Sequence, residues 1–293
     1  MPNYANSTLL VTGAAGNFGR IAVEELLARG ATKVIAGTRD PSKLADLADK
    51  GVEVRKVDFN DAASLPQAFA GVDRLLIIST DAIGSRVAQQ TAAVEAAKAA
   101  GVKHIVYTSA PAARPDADAG LGPEHFWTEV AIAGSGLDFT ILRNHMYAEN
   151  NLMNLPQAVA SGQLYGLVGD RGTSYVTRAD AARTAAGALL SAQGKTVEDV
   201  TGPAPVTNEE RARLASQIAG KPVTPIALTP ADLKAGMVAA GIPEGFAEAL
   251  LAFQRDAVTG HHGVVTDTVA RYSGRQPQSF AEFLEANAAA LKG

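Results

Sequence analysis

A glycine-rich turn near the N-terminus constrains the fold more than any other feature of the sequence. Residues 12–19 read TGAAGNFG, and they lie between the apolar run Leu9–Val11 and a helical stretch over Asn17–Arg29. A strand, a turn with a glycine at every third position and a helix are typical of the first βα unit of a dinucleotide-binding fold. The helix N-terminus of such a unit offers free backbone N–H groups to an anion. The sequence therefore predicts a phosphate-binding turn.

Each glycine of the turn has a separate physical role. Gly13 allows the chain to turn tightly, Gly16 lets the backbone approach a pyrophosphate, and Gly19 lets the helix pack closely on the strand. A purely structural turn could contain similar glycines, so the prediction of cofactor binding depends on the flanking strand and helix. The residues predicted to bind the cofactor here are Gly13, Ala15, Gly16, Asn17, Phe18 and Gly19.

Short apolar runs alternate with Ala-rich helical stretches through the first half of the chain, as successive βα units do. Because these runs show no polar alternation, we expect helices on both faces of the sheet. The predicted fold class is α/β, with a Rossmann-type doubly wound parallel sheet. The predicted strands are Leu9–Val11, Lys33–Gly37, Val52–Val57, Arg74–Ser79, His104–Ser109 and Asp138–Leu142.

The regular alternation ends near residue 143, and most later segments have the pattern of helices. A short strand pair is expected around Gln163–Thr177. We expect an NADP-binding Rossmann domain over residues 1–150. A smaller, mainly helical C-terminal lobe over residues 151–293 would bind the substrate, and some of its segments could return to the Rossmann sheet.

Basic residues follow the second predicted strand, where an NAD-dependent enzyme usually has an acidic residue for the ribose 2′-hydroxyl. Arg39 can bind a phosphate through its planar fork, and Lys43 adds positive charge. This arrangement favours NADPH, although Asp40 lies between the two cations. The alternative is that both cations only solvate the start of a helix.

Other strand ends supply further candidate cofactor residues, because ligands bind at the carboxyl edge of a parallel sheet. Each of these residues also has a plain interpretation as the end of a strand. Those after the third strand could flank the adenine, and those after the fourth could line the ribose and phosphates. The last two end the fifth strand. The candidates are Asp58, Phe59, Ile78, Ser79, Thr80, Thr108 and Ser109.

Composition and motifs exclude several function classes. The 293 residues include no cysteine, which rules out disulfides, thiolate catalysis and cysteine-ligated metals. A net charge of −4 gives no attractive field for nucleic acid, and no apolar run approaches the ~20 residues of a membrane helix. His261 and His262 have no further ligand at suitable spacing, so no metal is expected. Without a signal-peptide pattern, we expect a cytoplasmic protein with no nucleic-acid or membrane partner.

Several motifs together resemble a known family. Besides the glycine turn, the sequence reads GTRDPSKL at 37–44, VDFND at 57–61, AAKAAGVKHIVYTS at 96–109 and TILRN at 140–144. These stretches resemble the NmrA-like, atypical short-chain dehydrogenase/reductase family, especially its bacterial type 2 NAD(P)H:quinone oxidoreductases and its triphenylmethane reductases. The likeness runs from residue 8 to about residue 270. It implies an NADPH-dependent reductase whose small-molecule acceptor binds between the sheet and the C-terminal lobe, and it leaves a homodimer open.

The usual catalytic pair of short-chain dehydrogenases is missing. That pair is Tyr-x-x-x-Lys, in which the lysine lowers the pKa of the tyrosine so that it can exchange a proton with a carbonyl oxygen. None of the six tyrosines has a lysine four residues later. Ordinary alcohol dehydrogenation is therefore not expected.

Three other residues are candidates for the catalytic site. His125 could donate a proton and Glu129, one helical turn later, could orient it, or both could be ordinary helix residues. Asn144 and Tyr147 follow the sixth strand and could face the acceptor, or could serve capping and packing. We expect His125, Asn144 and Tyr147 to position an acceptor.

Two functions remain open at this point. The first is NADPH-dependent hydride transfer to a quinone or similar electrophilic acceptor, which needs orientation more than acid catalysis because a reduced quinone can take its proton from water. The alternative is a non-catalytic regulator that senses NADP(H), as some NmrA-like proteins do. Turnover with a quinone panel distinguishes them, since a sensor binds the cofactor without oxidising it.

Overall fold

Nine strands form a large and a small parallel sheet in the computed structural model, which describes residues 3–115 and 122–292. The large sheet has seven strands in the order β3-β2-β1-β4-β5-β6-β8, and the small one pairs β7 with β9. This order is doubly wound and reverses direction between β1 and β4, so the predicted fold class is confirmed. The strands are β1 (Thr8–Val11), β2 (Lys33–Thr38), β3 (Glu53–Lys56), β4 (Arg74–Ile77), β5 (His104–Ser109), β6 (Asp138–Asn144), β7 (Gln163–Leu167), β8 (Lys195–Val200) and β9 (Thr224–Leu228).

Helices cover both faces of the large sheet, as the buried central strands β1, β4 and β5 require. The helices of the first half are α1 (Asn17–Ala28), α2 (Ala45–Ala48), α3 (Leu65–Ala68), α4 (Arg86–Ala99) and α5 (Gly122–Gly134). Those of the second half are α6 (Leu155–Ser161), α7 (Arg178–Ser191), α8 (Asn208–Ala219), α9 (Pro230–Ala239), α10 (Glu244–Thr259), α11 (Thr268–Ser273), α12 (Phe280–Ala286) and α13 (Ala288–Lys292). Short 3-10 turns lie at Pro41–Leu44, Ala62–Ser64 and Ala148–Met153.

Strand β1 contributes side chains to two apolar cores, one on each face of the sheet. Leu9 and Val11 point to the side that α1 and α7 cover, whereas Leu10 packs in the cluster that includes residues of α3 and α4. All three side chains are fully buried. At about 1.5–3 kcal/mol for each fully buried aliphatic side chain, burial on both faces fixes the central strand firmly. The residues that follow β1 are therefore held at a well-defined edge.

The second half of the chain divides between the sheet and a separate lobe. Helix α7 packs on α1, and β8 extends the sheet beside β6, so these segments return to the Rossmann layer. The lobe has its own apolar core from α6, α8, α12 and α13. The prediction of a strand pair around Gln163–Thr177 is wrong, because β7 pairs with β9, which lies about sixty residues later in the chain. The domain boundary near residue 150 stays a prediction.

Candidate active site

A cleft of about 390 Å³ opens at the carboxyl ends of β1, β2, β3 and β4, where the strand order reverses. This is the position at which open α/β sheets bind ligands. Nine of the residues predicted to bind the cofactor line it: Gly13, Ala15, Gly16, Arg39, Asp58, Phe59, Ile78, Ser79 and Thr80. The remaining lining residues are Thr12, Thr38, Val57, Asn60, Asp81, Ala82 and Gln89.

The glycine turn brings an exposed helix N-terminus to the cleft. Gly13 has a φ of +61°, in the left-handed region that glycine adopts without strain. Gly16 caps α1 without a side-chain hydrogen bond, and the first turn holds no acidic residue. The positive end of the helix dipole is therefore not neutralised locally, and a phosphate can bind its N–H groups. The turn fits the pyrophosphate of a dinucleotide.

The other three predicted residues of the turn lie on α1 itself. Asn17 is exposed beside the cleft. Phe18 is buried, with its ring 6.5 Å from that of Tyr147. A Cβ on Gly19 would lie 2.4 Å from the carbonyl oxygen of Gly13, so the helix and the turn touch through backbone atoms alone. These residues support the turn, and their contact with a cofactor stays a prediction.

The acidic residue beside Arg39 is turned away from the cleft. Asp40 caps the 3-10 turn Pro41–Leu44, and its Oδ1 accepts hydrogen bonds from the backbone N–H of Ser42 at 3.1 Å and its hydroxyl at 2.6 Å. These bonds lower the pKa of Asp40. Arg39 lines the cleft, whereas Lys43 is exposed on the turn outside the cleft lining. Arg39 is therefore the basic residue of the cleft lining, and phosphate binding by Arg39 and Lys43 stays a prediction.

Buried threonines fix the strand ends against one another. Thr12 Oγ1 accepts from the N–H of Ile78 at 2.9 Å, and Thr108 Oγ1 accepts from the N–H of Ser79 at 2.9 Å. Thr108 thus lies behind the cleft wall. Ser109 is also behind it, since its hydroxyl donates to Glu129 Oε1 at 2.6 Å. Thr108 and Ser109 do not line the cleft, and any direct bond to a cofactor stays a prediction.

Sequence reasoning missed seven lining residues. Thr12 directly follows β1, Thr38 is the last residue of β2, and Asn60 follows Asp58 by two residues, so their strand-end positions could have indicated them. Gln89 gives no such signal, because it reaches the cleft from α4. Its side chain accepts from the Thr80 hydroxyl at 3.2 Å and donates to Asn60 Oδ1 at 2.9 Å, so it bridges two walls.

His125 lies in the interior between α4, α5 and β5. Its side chain is 4% exposed, and its ring nitrogens face Tyr107 Oη at 2.8 Å and Arg86 Nη1 at 3.3 Å. Burial and the charge of Arg86 lower the pKa of His125 to about 3. The ring is therefore neutral at physiological pH and is not among the residues that line the cleft. Its contact with an acceptor stays a prediction.

The predicted pairing of Glu129 with His125 is not formed. Glu129 instead binds Arg143 Nη2 at 2.6 Å and accepts from the Ser109 hydroxyl. The physical reason is competition. The Arg143 guanidinium on the neighbouring strand β6 offers two charged donors, and these bind a carboxylate more strongly than a neutral imidazole does. Glu129 thereby ties α5 to β6.

Asn144 and Tyr147 form a pair just beyond the end of β6. Asn144 Nδ2 donates to Tyr147 Oη at 3.1 Å, while the Oδ1 of Asn144 is buried and has no partner. Burial raises the pKa of Tyr147 to about 12, so its hydroxyl stays protonated. The ring of Tyr147 lies between Phe18 of α1 and the guanidinium of Arg178. Through Phe18 the pair adjoins the glycine turn, and its contact with an acceptor stays a prediction.

A family model described as NAD(P)H-binding matches residues 13–192, which span the turn, the cleft and the sheet. The chain belongs to the NmrA-like NAD(P)H-binding family. Quinone oxidoreductase 2 of Escherichia coli K12 is 36% identical over 279 residues, covering 94% of this chain and 96% of that protein. The NAD(P)H azoreductase of Xenophilus azovorans is 31% identical, with 97% and 99% covered. Family membership confirms the resemblance seen in the sequence.

Solved structures of the family superpose closely on this chain. The NADPH complex of the E. coli quinone oxidoreductase has a TM-score of 0.89 and 35% identity, and it covers 96% of this chain and 99% of that one. The triphenylmethane reductase of Citrobacter sp. has a TM-score of 0.85 and 32% identity, with 98% and 100% covered. The chain is accordingly an NAD(P)H-dependent oxidoreductase of this family.

Two further findings concern the described residues as a whole. None of their helices combines the length and the apolar character needed to cross a membrane. No group of three or more histidine, cysteine, aspartate or glutamate side chains within residues 3–115 and 122–292 could hold a metal ion.

Proposed function

We propose that this chain uses NADPH to reduce a quinone or a related electrophilic small molecule by direct hydride transfer. The observation that carries the proposal is the cleft itself, which is lined both by the N-terminal turn of α1, where no side chain caps the helix, and by Arg39. NADPH supplies the hydride when it is bound. The protein orients the dinucleotide and the acceptor, and such orientation accounts for much of the rate in a transfer of this kind.

Arg39 selects NADPH in this proposal. Its guanidinium is the cation at the end of β2, and Asp40 is occupied with the turn that it caps. Arg39 also lowers the pKa of Asp58 across the cleft, in addition to the larger effect of the Asn60 backbone N–H. A 2′-phosphate bound at the end of β2 would therefore meet the planar, charged guanidinium of Arg39 as its hydrogen-bond donor.

Replacing Arg39 with alanine should weaken NADPH binding and leave NADH binding nearly unchanged. A charged hydrogen bond is worth about 1.5–3 kcal/mol, which corresponds to a loss in affinity of roughly 10- to 150-fold. Fluorescence titration of both cofactors measures the effect. Lys43→Ala serves as the matched control, because Lys43 lies outside the cleft and should matter much less. Equal losses for NADPH and NADH would contradict the assignment.

Asn144 and Tyr147 hold the acceptor in this proposal. Their hydrogen bond and the raised pKa of Tyr147 make them a neutral, rigid pair next to the cofactor turn. A quinone or an azo compound is a good hydride acceptor without protonation by the enzyme. The names of the relatives, which include quinone and azo reductases, support acceptors of this class.

Turnover separates this function from a role as a sensor of NADP(H). With a panel of soluble quinones, the protein should oxidise NADPH, and deuterium at the transferred C4 position should slow the hydride-transfer step in single-turnover measurements. A control without quinone corrects for background oxidation. NADPH binding without turnover on any acceptor of the panel would favour the regulatory alternative.

A further inference from the structure

Five residues form a closed ring of hydrogen bonds behind the cleft wall at Thr80. Arg86 Nε donates to the Thr80 carbonyl at 2.7 Å, and Arg86 Nη1 lies 3.3 Å from His125 Nε2. His125 Nδ1 lies 2.8 Å from Tyr107 Oη, to which Gln90 Nε2 also donates at 3.2 Å. Gln90 Oε1 then accepts from the Thr80 N–H at 3.3 Å and closes the ring. A single cleft residue is thus held by both of its backbone polar groups.

Donor and acceptor chemistry fixes the state of His125 in this ring. A guanidinium only donates hydrogen bonds, so His125 Nε2 must accept from Arg86 and carry no proton. The proton of the neutral ring is therefore on Nδ1, which donates to Tyr107 Oη. Protonation of Nε2 would turn an N–H towards a cation in the interior. Arg86, Gln90, Tyr107 and His125 are each at most 4% exposed, so water cannot replace a lost partner.

Besides the ring, the Thr80 hydroxyl donates to Gln89 Oε1 at 3.2 Å, and the loop that follows Thr80 is anchored at its far end. The loop after Thr80 is exposed, and Ile83 at its tip is 68% exposed. At its far end the N–H of Gly84 donates to Glu124 Oε1 at 2.6 Å, and Glu124 lies 3.6 Å from Arg86. Both ends of the loop are thus held through Arg86 and α5. Thr80, Asp81 and Ala82, which line the cleft, lie on the segment that these anchors hold.

We propose that His125 and Arg86 are positioning residues for the cofactor: His125 acts through Arg86 on Thr80 and so sets the wall against which NADPH binds. The inference rests on the proposed function, in which the cleft holds NADPH. It predicts that the contact between His125 Nε2 and Arg86 matters for cofactor affinity. Hydride transfer itself does not use a proton from His125.

Two substitutions at one position separate the two sides of the ring. His125→Gln places an amide oxygen near the former Nε2, where it can still accept from Arg86. His125→Asn places its amide near the former Nδ1 and leaves Arg86 without this partner. We expect His125→Gln to keep the NADPH Kd within about threefold. His125→Asn should raise it about tenfold or more, in line with the loss of a charged hydrogen bond, with kcat at saturating NADPH within about threefold of the wild type.

Controls keep the experiment decisive. Ser135→Ala removes a buried hydroxyl just after α5 that donates to the Ile132 carbonyl and accepts from the Leu137 N–H, so it matches the loss of a polar group without touching the ring. Melting temperatures check that each variant folds. If His125→Asn does not fold, Arg86→Lys takes its place: lysine keeps the charge but cannot donate to Thr80 and His125 in the same geometry, so the NADPH Kd should rise while kcat holds.

Each outcome supports or overturns the inference. Equal NADPH affinities for His125→Gln and His125→Asn, with the wild type binding normally, would overturn it alone. A fall in kcat of more than about a hundredfold with unchanged Kd would also overturn it and would assign a proton-transfer role to His125. Failure of the wild type to bind NADPH would instead overturn the proposed function, and this inference with it.

Discussion

Gly19→Ala is expected to destabilise the protein and to weaken cofactor binding strongly. The added Cβ would lie 2.4 Å from the Gly13 carbonyl oxygen and 2.7 Å from Ala14 Cα, both of them backbone atoms that no rotamer change can move. Helix α1 must therefore shift away from the turn. Overpacking of this kind costs about 1–3 kcal/mol or more in the free energy of unfolding. Because the turn and the helix N-terminus form one anion site, the NADPH affinity should fall at least about a hundredfold.

Urea unfolding and NADPH titration measure the two effects separately. Gly236→Ala is the matched control, since it adds the same methyl group to a helical glycine of α9 with no atom within 4 Å of the new Cβ. Alanine in a helix is favoured over glycine by up to about 1 kcal/mol, so this variant should be as stable as the wild type or more so. Wild-type NADPH affinity in Gly19→Ala would show that the close packing of α1 on the turn is not required for binding.

The first half of the fold could be predicted because its signals are local. Most strands there are apolar runs, and the turn of residues 12–19 is contiguous in sequence. Strand β8 was missed because it is an edge strand: its sequence KTVEDV is mostly polar, and Val197 is half exposed. Strand β9 contains Pro225, which is unusual in a strand, and its partner β7 is distant in the sequence, so no local pattern predicts it.

Strand ends also explain which parts of the site could be predicted. Arg39, Asp58 and Ser79 follow β2, β3 and β4, which are parallel strands of one sheet, so topology alone brings these residues to one edge. Gln89 and Arg86 reach that edge as long side chains from α4, and only the tertiary structure decides their direction. The helical spacing of His125 and Glu129 predicted a pair, but the tertiary structure brings Arg143 to Glu129 instead.

Acidification between about pH 6.5 and pH 4.5 should destabilise the protein because three buried histidines are held neutral. Burial is the largest cause in each case, and it lowers the pKa from 6.5 to about 3 for His104 and His125 and to about 4 for His262. The unfolded chain takes up these protons near pH 6.5, whereas the folded chain does not until the lower pKa is reached. Stability is therefore complete above pH 6.5 and is lost as the pH falls towards 4.

The size of the effect follows from the number of protons. Each fully titrating histidine contributes about 1.4 kcal/mol per pH unit to the slope of the unfolding free energy. Urea unfolding at several pH values above 4.5 measures this slope, and most carboxylates of an unfolded chain remain charged over that range. His104→Gln keeps a group able to bond Thr140, the present partner of the ring, and does not titrate. Its slope should be smaller by the contribution of one proton.

Ser135→Ala again provides the control, because the loss of a buried hydroxyl changes stability by an amount that does not depend on pH. Its unfolding free energy should run parallel to that of the wild type across the range, whereas the line for His104→Gln should converge on or cross it as the pH falls. Parallel lines for His104→Gln and the wild type would mean that the fold admits a proton at His104 as readily as the unfolded chain does. The acid sensitivity would then have to come from His125 and His262 alone.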